Sequence, residues 1–314
     1  MQLNCIVLYD IINLKRKIYL ICSNSSKVKV MIIQSDWHIH SKNSYDASLT
    51  LDEISSKAKE YGFKKMGITD HVNVNDVNFL NDFKNSYKDV NAFKLLHPEI
   101  VLGVELTPIA KPHFDYLSKT GTGEGYIPPV SDKPYDIELA LTKEEMVSRG
   151  VSYAIGATHW RVDSPYSKSH DTDVDAMIKE WYRQQMWLAC DERVTVLGHP
   201  WYNGYAAWYD DFSVIPKSMN RDIASALKEN GKYVECNAGV LCSPKASERF
   251  RIQYAEFLRE LFEMGIPVTY GSDNHVVYGD THLEVEKILR TVGFSDGDFS
   301  EISENDFWDT PNKA

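Results

Sequence analysis

The chain has 314 residues and a formal net charge of −11, with 34 Lys and Arg residues against 45 Asp and Glu residues. This acidic balance argues against a dedicated binder of long nucleic acids, whose surface would be basic, but bound metal ions would still allow an anionic substrate. The composition, 43% hydrophobic and 25% charged, is ordinary for a globular protein, and no apolar run of about 18 residues predicts a membrane-spanning helix.

The cysteines indicate the compartment. They are Cys5, Cys22, Cys190, Cys236 and Cys242, with no CxxC pair among them. An odd and sparse set of this kind is typical of reduced thiols, so the sequence predicts a cytoplasmic protein without a disulfide framework.

Residues 1–30 precede the first clear element, and we interpret them as an N-terminal extension. Their apolar runs are interrupted by Asp10 and by the basic residues 15–17, so they resemble a secretory signal only weakly. Met31 stands shortly before the first motif residue, His38, which favours an over-extended start. An extra hairpin or a poorly ordered arm is the alternative interpretation.

After this extension, apolar runs alternate with helical patterns. The first predicted strand covers residues 28–40. Thr50 then reads as the N-cap of a helix that ends near Gly62. The second strand covers 63–71, and a polar helical stretch leads to the third strand at 100–108.

A Gly- and Pro-rich insertion follows the third strand, at residues 108–136. A loop of that length is typically functional, and we expect it to line or cover the mouth of the site and to help select the substrate. The remaining strands are predicted at 151–160, 194–201, 232–239 and 266–275, with helices across 173–193, 249–265 and 283–294.

Seven strands that alternate with helices, each strand nearly all apolar, predict a parallel sheet buried on both faces. This count suits a closed or nearly closed α/β barrel, in which the chemistry sits at the carboxyl ends of the strands. We predict one domain over residues 31–293, followed by an acidic tail at 294–314.

The residues that end these strands are unusual. His38 and His40 lie two apart and therefore on one face of a strand, where two neutral imidazoles pack poorly but chelate a metal well. The other strand-end residues are Asp70, His71, Glu105, His159, His199, Asn237, Asp273 and His275, with Asp46 shortly after the first strand. Six of the ten histidines fall at these positions, which predicts a multinuclear metal site.

In chain order the motifs are HxH, a downstream Asp, TDH, GxE, a strand-terminal His, GHP and SDxH, and this set resembles the PHP family of polymerase and histidinol-phosphatase domains over residues 31–293. The resemblance implies a distorted seven-stranded (β/α)7 barrel with two or three divalent ions of Zn, Mn or Fe. The implied metal ligands are His38, His40, Asp46, His71, Glu105, His159, His199, Asp273 and His275. Some family members carry His at the position of Asp46. Asp36 and Asp70 stand beside ligands, and we expect them to orient imidazoles.

Clustered divalent ions lower the pKa of a bridging water and bind phosphoryl oxygens, so we expect a metal-dependent phosphoric ester hydrolase that uses a metal-bridged hydroxide. The expected catalytic residues are Glu105, Asp273, His275 and Arg161. The length and the NAG…K…GSDNH arrangement favour the histidinol-phosphatase branch and a small phosphate monoester as the substrate. Cations are needed to hold the phosphate oxygens, and the candidates are Arg161, Lys42 and Lys245.

Three alternatives stay open at this point. A phosphodiesterase or nuclease acting on short nucleic acids or nucleotides would use the same fold, and some PHP modules are not catalytic. Amidohydrolase barrels also open with HxH, but they usually bridge two metals through a carboxylated Lys after the fourth strand, where this chain has GATHW. The aromatic segment 199–211 is consistent either with a pocket wall or with ordinary packing. The sequence predicts no oligomeric state.

Overall fold

The computed structural model describes residues 32–72, 79–131, 133–162 and 173–303, without the side chains of 79–82. The predicted N-terminal extension and the end of the acidic tail lie outside these ranges, so both stay predictions. Within the described residues, none of the helices combines the length and the apolar composition that crossing a bilayer requires.

Seven parallel strand positions form the barrel wall. The strands in chain order are β1 (Asp36–Ile39), β2 (Met66–Ile68), β3 (His71–Val72), β4 (Ile100–Leu106), β5 (Ile109–Ala110), β6 (Ile137–Glu138), β7 (Tyr153–Ala157), β8 (Val196–Gly198), β9 (Tyr233–Asn237) and β10 (Val268–Gly271). The order in the sheet is β1-β2-β4-β7-β8-β9-β10. The short strand β3, which follows β2 in the chain, pairs in parallel with the carboxyl end of β4. This is the predicted single α/β domain with a nearly closed barrel, and the prediction is confirmed.

A short seam joins the first and last strands of this order. Ile39 at the end of β1 forms a parallel bridge with Asn274, just after β10. The N–H of His40 donates to the carbonyl of Asn274 at 3.0 Å, and the N–H of Asp273 donates to the carbonyl of His38 at 2.8 Å. The barrel therefore closes at the carboxyl ends of its strands.

The connections are mostly helical, as predicted. The helices are α1 (Leu51–Tyr61), α2 (Phe79–Phe93), α3 (Lys111–Thr120), α4 (Lys143–Ser148), α5 (Val174–Cys190), α6 (Lys217–Glu229), α7 (Ala238–Leu241), α8 (Glu248–Glu263) and α9 (Thr281–Thr291). Thr50 caps α1 in a capping box with Glu53, and Gly62 ends it at φ 72°, as the sequence predicts.

An aromatic side chain fills part of the barrel interior. The hydroxyl of Tyr153 donates to the carbonyl of Trp37 at 2.5 Å, and the two rings meet edge to face at 5.5 Å. Tyr153 crosses the sheet over two glycines, because a Cβ at Gly67 would lie 1.8 Å from its hydroxyl and one at Gly103 would lie 2.6 Å from its ring. Trp37 and Tyr153 thus belong to the hydrophobic core of the barrel.

The insertion is more ordered than its composition indicates. β5 and β6 form an antiparallel pair, and α3 lies between them in sequence. α3 ends at Gly121, which takes φ 72°. Strands of two residues are too short to show a hydrophobic period, so the sequence alone does not reveal them.

Candidate metal centre

The carboxyl ends of the strands bring all nine predicted ligand side chains together. Glu105, at the end of β4, lies at the centre of the group. Its Oε1 is 3.1 Å from Nε2 of His199, 3.4 Å from Nε2 of His159 and 3.5 Å from Nε2 of His38. Its Oε2 is 2.6 Å from Nδ1 of His71 and 3.5 Å from Nε2 of His40. One carboxylate therefore faces imidazoles from four different strand ends.

Two aspartates complete the group. Oδ1 of Asp273 lies 3.2 Å from Nε2 of His40 and 3.5 Å from Nε2 of His38. Oδ2 of Asp46 lies 3.5 Å from Nε2 of His71 and 3.6 Å from Nε2 of His275. Because the nine donors form one continuous set of close contacts, a shared site is geometrically possible for all of them.

Many of these ligand atoms lie close together without forming good hydrogen bonds to one another. This shortage of hydrogen bonds indicates that the site is built to hold metal ions. Nε2 of His38 and Nε2 of His40 lie 3.1 Å apart, and Nε2 of His71 and Nε2 of His275 lie 3.3 Å apart. Nδ1 of His71 and Oε2 of Glu105 are buried and close, yet they lack the alignment of a hydrogen bond. A cation between these nitrogen and oxygen atoms would interact favourably with the lone pairs of all of them. The nitrogen and oxygen donors together fit divalent Zn, Mn or Fe.

Three subsets of the donors are compact enough to hold one ion each, with their ligand atoms within 4.8 Å of one another. They are His40, His71 and His275; His38, His40 and Asp273; and His71, Glu105 and His159. Their overlap agrees with a centre of two or three ions that share ligands.

The two central carboxylates and one imidazole have the protonation states that a metal ion requires. Burial opposes ionisation of Glu105, but the neighbouring imidazoles of His71, His159 and His38 hold its pKa well below the usual value. Burial likewise opposes ionisation of Asp273, and His38 and His40 hold its pKa well below the usual value. Burial lowers the pKa of His159 to about 3, so its imidazole is neutral, which is the form that binds a metal.

Burial also lowers the pKa of His38, His71 and His199, but the neighbouring carboxylates outweigh this effect. They raise the pKa of His38 and His199, and that of His71 to about 10. A bound metal ion must therefore displace protons from these rings.

Several imidazoles are oriented through their Nδ1 atoms. Nδ1 of His40 lies 3.2 Å from Oγ of Ser44, and Nδ1 of His159 lies 3.0 Å from Oγ1 of Thr107. Nδ1 of His275 lies 2.9 Å from the carbonyl oxygen of Asp273. These contacts leave the Nε2 atoms to face the cluster, as ligand imidazoles do.

The expected role of Asp36 and Asp70 is wrong. Asp36 accepts from the N–H groups of Ser272 at 2.9 Å and His38 at 3.2 Å, and from the hydroxyl of Tyr278. Asp70 accepts from the N–H of Ser41 at 2.6 Å and from serine hydroxyls. Both aspartates fix the backbone around the ligands instead of orienting imidazoles, because each points to N–H and hydroxyl groups of the loops beside the strand ends.

The sequence interpretation missed Glu235. This buried residue of β9 has Oε1 2.7 Å from Nδ1 of His38, and its Oε2 accepts from the N–H of His199 at 2.5 Å. The interpretation considered only the strand-end residue, Asn237, whose amide donates to Asp273 at 3.2 Å. A single acid inside the apolar strand YVECN was the available signal, because a buried charge needs partners.

Two of the proposed ligands lie on strained backbone. His199 has φ 21° and Asp273 has φ 57°, values that residues with a side chain rarely adopt. The N–H of each residue is held by a hydrogen bond, from His199 to Glu235 and from Asp273 to the carbonyl of His38. Strain of this kind is maintained where the surrounding structure enforces it, which is common at functional sites.

A cavity of about 320 Å³ opens onto the cluster. It is lined by Tyr45, Asp46, His71, His159, Trp160, His199, Tyr202, Gly204, Asp273 and His275. Both interpretations of the aromatic segment 199–211 hold in part, because Tyr202 forms a wall while Trp201 and Trp208 are buried and pack edge to face. Among the described residues of 108–136, none lines the cavity. The expectation that the insertion covers the mouth of the site and helps to select the substrate stays a prediction.

The predicted phosphate-binding cations lie outside this lining. Arg161 follows the lining residue Trp160 directly, and the Nζ of Lys245 donates to the carbonyl of Gly204 at 3.1 Å. Lys42 is exposed two residues after His40. The structure therefore places Lys245 at the rim, and a role in substrate binding stays a prediction for all three cations.

Comparison with known proteins decides the family. A family model of the PHP domain matches residues 36–239, well over half of the chain. The chain belongs to the PHP family. The predicted resemblance is thereby confirmed, and the amidohydrolase alternative is set aside.

The comparisons also match individual proteins. A probable phosphatase of Acetivibrio thermocellus is 22% identical over 260 residues, which is 82% of this chain and 86% of the relative. The structure of histidinol phosphate phosphatase from Lactococcus lactis, complexed with Zn, L-histidinol and phosphate, is similar with a TM-score of 0.55. It is 16% identical, and the match covers 83% of this chain and 94% of that one. One chain from the structures of YwqE of Bacillus subtilis and CpsB of Streptococcus pneumoniae, described as metal-dependent tyrosine phosphatases, matches with 14% identity and a TM-score of 0.39, over 83% of this chain and 88% of that one.

Family membership and the donor cluster together define the class of reaction. The PHP chain is a metal-dependent phosphatase, a hydrolase of phosphoric esters.

Proposed function

We propose that this PHP enzyme hydrolyses a small phosphate monoester at the nine-donor centre, and that histidinol phosphate represents the class of substrate. The observation that carries the proposal is a complete set of nitrogen and oxygen donors at the base of a cavity of about 320 Å³. The cavity is near the lower end of the range for small-molecule sites, about 300–1,000 Å³. This volume suits a phosphoryl group with a small alcohol.

The residues of the centre would have different roles in the reaction. Glu105 presents its two oxygens to different imidazoles, so it could serve as a ligand that two ions share. Divalent ions held there would supply an acidified water, Lewis-acid contacts to the phosphoryl oxygens and stabilisation of charge on the leaving oxygen. Asp273 and the histidines would hold these ions, and the burial of Glu105 would keep bulk water from competing for its oxygens.

The cavity walls support a small substrate. Tyr45, Trp160 and Tyr202 surround the donors, and in the described part of the chain no Lys or Arg lines the cavity. A long nucleic acid would require a basic track for its phosphates, which this lining does not offer. The L-histidinol and phosphate bound by the Lactococcus lactis relative support a monoester of similar size.

A comparison of esters tests the proposal. Protein loaded separately with Mn²⁺, Zn²⁺ and Fe²⁺ should cleave p-nitrophenyl phosphate and histidinol phosphate with kcat/KM at least about tenfold above that for bis(p-nitrophenyl) phosphate, a difference of about 1.4 kcal/mol in transition-state free energy. Protein stripped of metal by a chelator is the control and should be inactive. Preference for the bis ester would instead favour the phosphodiesterase alternative. Metal-loaded protein that cleaves neither ester would overturn the proposed class of substrate.

Arg161→Ala tests the predicted phosphate contact. A charge-assisted hydrogen bond contributes about 1.5–3 kcal/mol, so its loss should lower kcat/KM for monoesters by about 10–100-fold. The metal content should stay unchanged, because Arg161 supplies no ligand. The matched control is Arg221→Ala, which removes an exposed cation from α6. Unchanged monoester kinetics would remove Arg161 from substrate binding and leave the metal centre in place.

A further inference from the structure

A carboxylate outside the nine donors connects two strands that carry proposed ligands. Glu235 on β9 is 1% exposed, with Oε1 2.7 Å from Nδ1 of His38 on β1 and Oε2 2.5 Å from the N–H of His199 after β8. We propose that Glu235 is a positioning residue of the metal centre, which fixes the tautomer of His38 and the backbone of His199. This inference rests on the proposed function and adds a residue to it.

The first effect follows from hydrogen-bond chemistry. A carboxylate oxygen accepts a hydrogen bond from an imidazole N–H, so the 2.7 Å contact assigns the proton of His38 to Nδ1. The lone pair of Nε2 then faces the cluster, where Nε2 lies 3.5 Å from both Glu105 and Asp273. A carboxylate that holds the distal N–H of a ligand imidazole both orients the ring and strengthens its basicity.

The second effect concerns the backbone. His199 takes φ 21°, and its N–H donates to the other oxygen of the same carboxylate. That hydrogen bond offsets part of the backbone strain and directs the imidazole of His199 to Glu105, 3.1 Å away. One side chain thus positions two ligands that come from different strands.

A glycine provides the space for this contact. β10 lies beside β9 in the sheet, and the seam joins it to β1. A Cβ at Gly271 on β10 would lie 1.8 Å from Oε1 of Glu235 and 2.6 Å from Cβ of His38. Glu235 therefore reaches His38 only because position 271 has no side chain. The requirement is space, so any larger residue there should displace the carboxylate.

Cobalt binding tests the role independently of turnover. In Glu235→Gln the amide offers one acceptor oxygen, and its NH₂ group opposes the N–H of either His38 or His199. We expect the Co²⁺ dissociation constant to rise by about 10–100-fold and the visible absorption spectrum of the Co²⁺-loaded protein to change, because the ligand field reports ligand orientation. Gly271→Ala should produce the same two changes.

Glu286→Gln is the matched control. Glu286 is also buried, at 2% exposure, and its Oε1 accepts from the N–H of Ile33 at 3.2 Å, outside the cluster. The control should lose stability yet keep the Co²⁺ affinity and spectrum of the wild type. A merely structural role for Glu235 would make the two variants behave alike.

The outcomes separate this inference from the proposed function. Wild-type protein that binds no Co²⁺ would overturn the metal centre and this inference with it. Wild-type binding with unchanged affinity and spectrum in Glu235→Gln would overturn the role of Glu235 alone. If the variants do not fold, long-range ¹H–¹⁵N NMR of Zn²⁺-loaded wild-type protein decides the matter. His38 should carry its proton on Nδ1, and a proton-free Nδ1 would contradict the proposal.

Discussion

Glu105→Gln should lose bound metal and phosphatase activity together. Both oxygens of Glu105 face imidazole nitrogens, and the amide would replace one of them with an NH₂ group that cannot bind a cation. It would also remove a charge that is held ionised inside the protein. We expect turnover to fall by at least about 1,000-fold, since losses of about 10–100-fold already follow from changes to groups that only support a ligand.

Metal analysis and kinetics on the same sample would measure this effect. The matched control is Glu99→Gln, because Glu99 stands just before β4 and accepts from the hydroxyl of Ser55 at 2.6 Å, away from the cluster. The control should keep both metal and activity. A Glu105→Gln protein with full metal content and normal kcat would contradict the central position of this carboxylate in the metal centre.

Asp273→Asn should lower metal affinity and turnover in parallel, by about 10–100-fold or more. The substitution removes a charge where cations must be held close to one another, since Oδ1 lies within 3.5 Å of both His38 and His40. Asparagine tolerates the left-handed backbone at φ 57°, so the fold should be largely unaffected. The loss would then reflect the charge and not the backbone.

Asp115→Asn is the surface control for this variant, because Asp115 is 57% exposed on α3 and pairs with Lys111. Circular dichroism would confirm that both proteins are folded before metal content and kcat/KM are compared. Full metal loading with normal turnover in Asp273→Asn would mean that the cluster has been assigned to the wrong residues.

The fold was predictable because each barrel strand is a short apolar run bounded by polar residues. The site was predictable because the chemistry of an α/β barrel sits at the carboxyl ends of its strands. The nine donors lie together because the carboxyl ends of parallel strands point the same way. Local signals were also sufficient for α1, where Thr50, Glu53 and Gly62 mark both ends. These features depend on near neighbours in the chain, so a single sequence contains them.

The features that were missed depend on contacts between distant residues. Glu235 and His38 are 197 positions apart, and no local pattern indicates that a glycine on a third strand lets them meet. The role of Asp36 was misjudged for the same reason, since its partner Ser272 lies 236 positions away. The strand pair of the insertion was missed because two residues cannot display a period.

The seam has a consequence for the native-state dynamics of the barrel. Four of the nine donors, His38, His40, Asp273 and His275, lie on the two chain segments that the seam joins. The segments cannot separate without pulling these donors apart, so opening of the barrel at the seam would require release of the metal. In hydrogen-exchange terms, the free energy that protects the amides of His40 and Asp273 should increase by about 1.4 kcal/mol for each tenfold rise in free metal above its dissociation constant. The barrel would then be closed most firmly when the enzyme is ready to act.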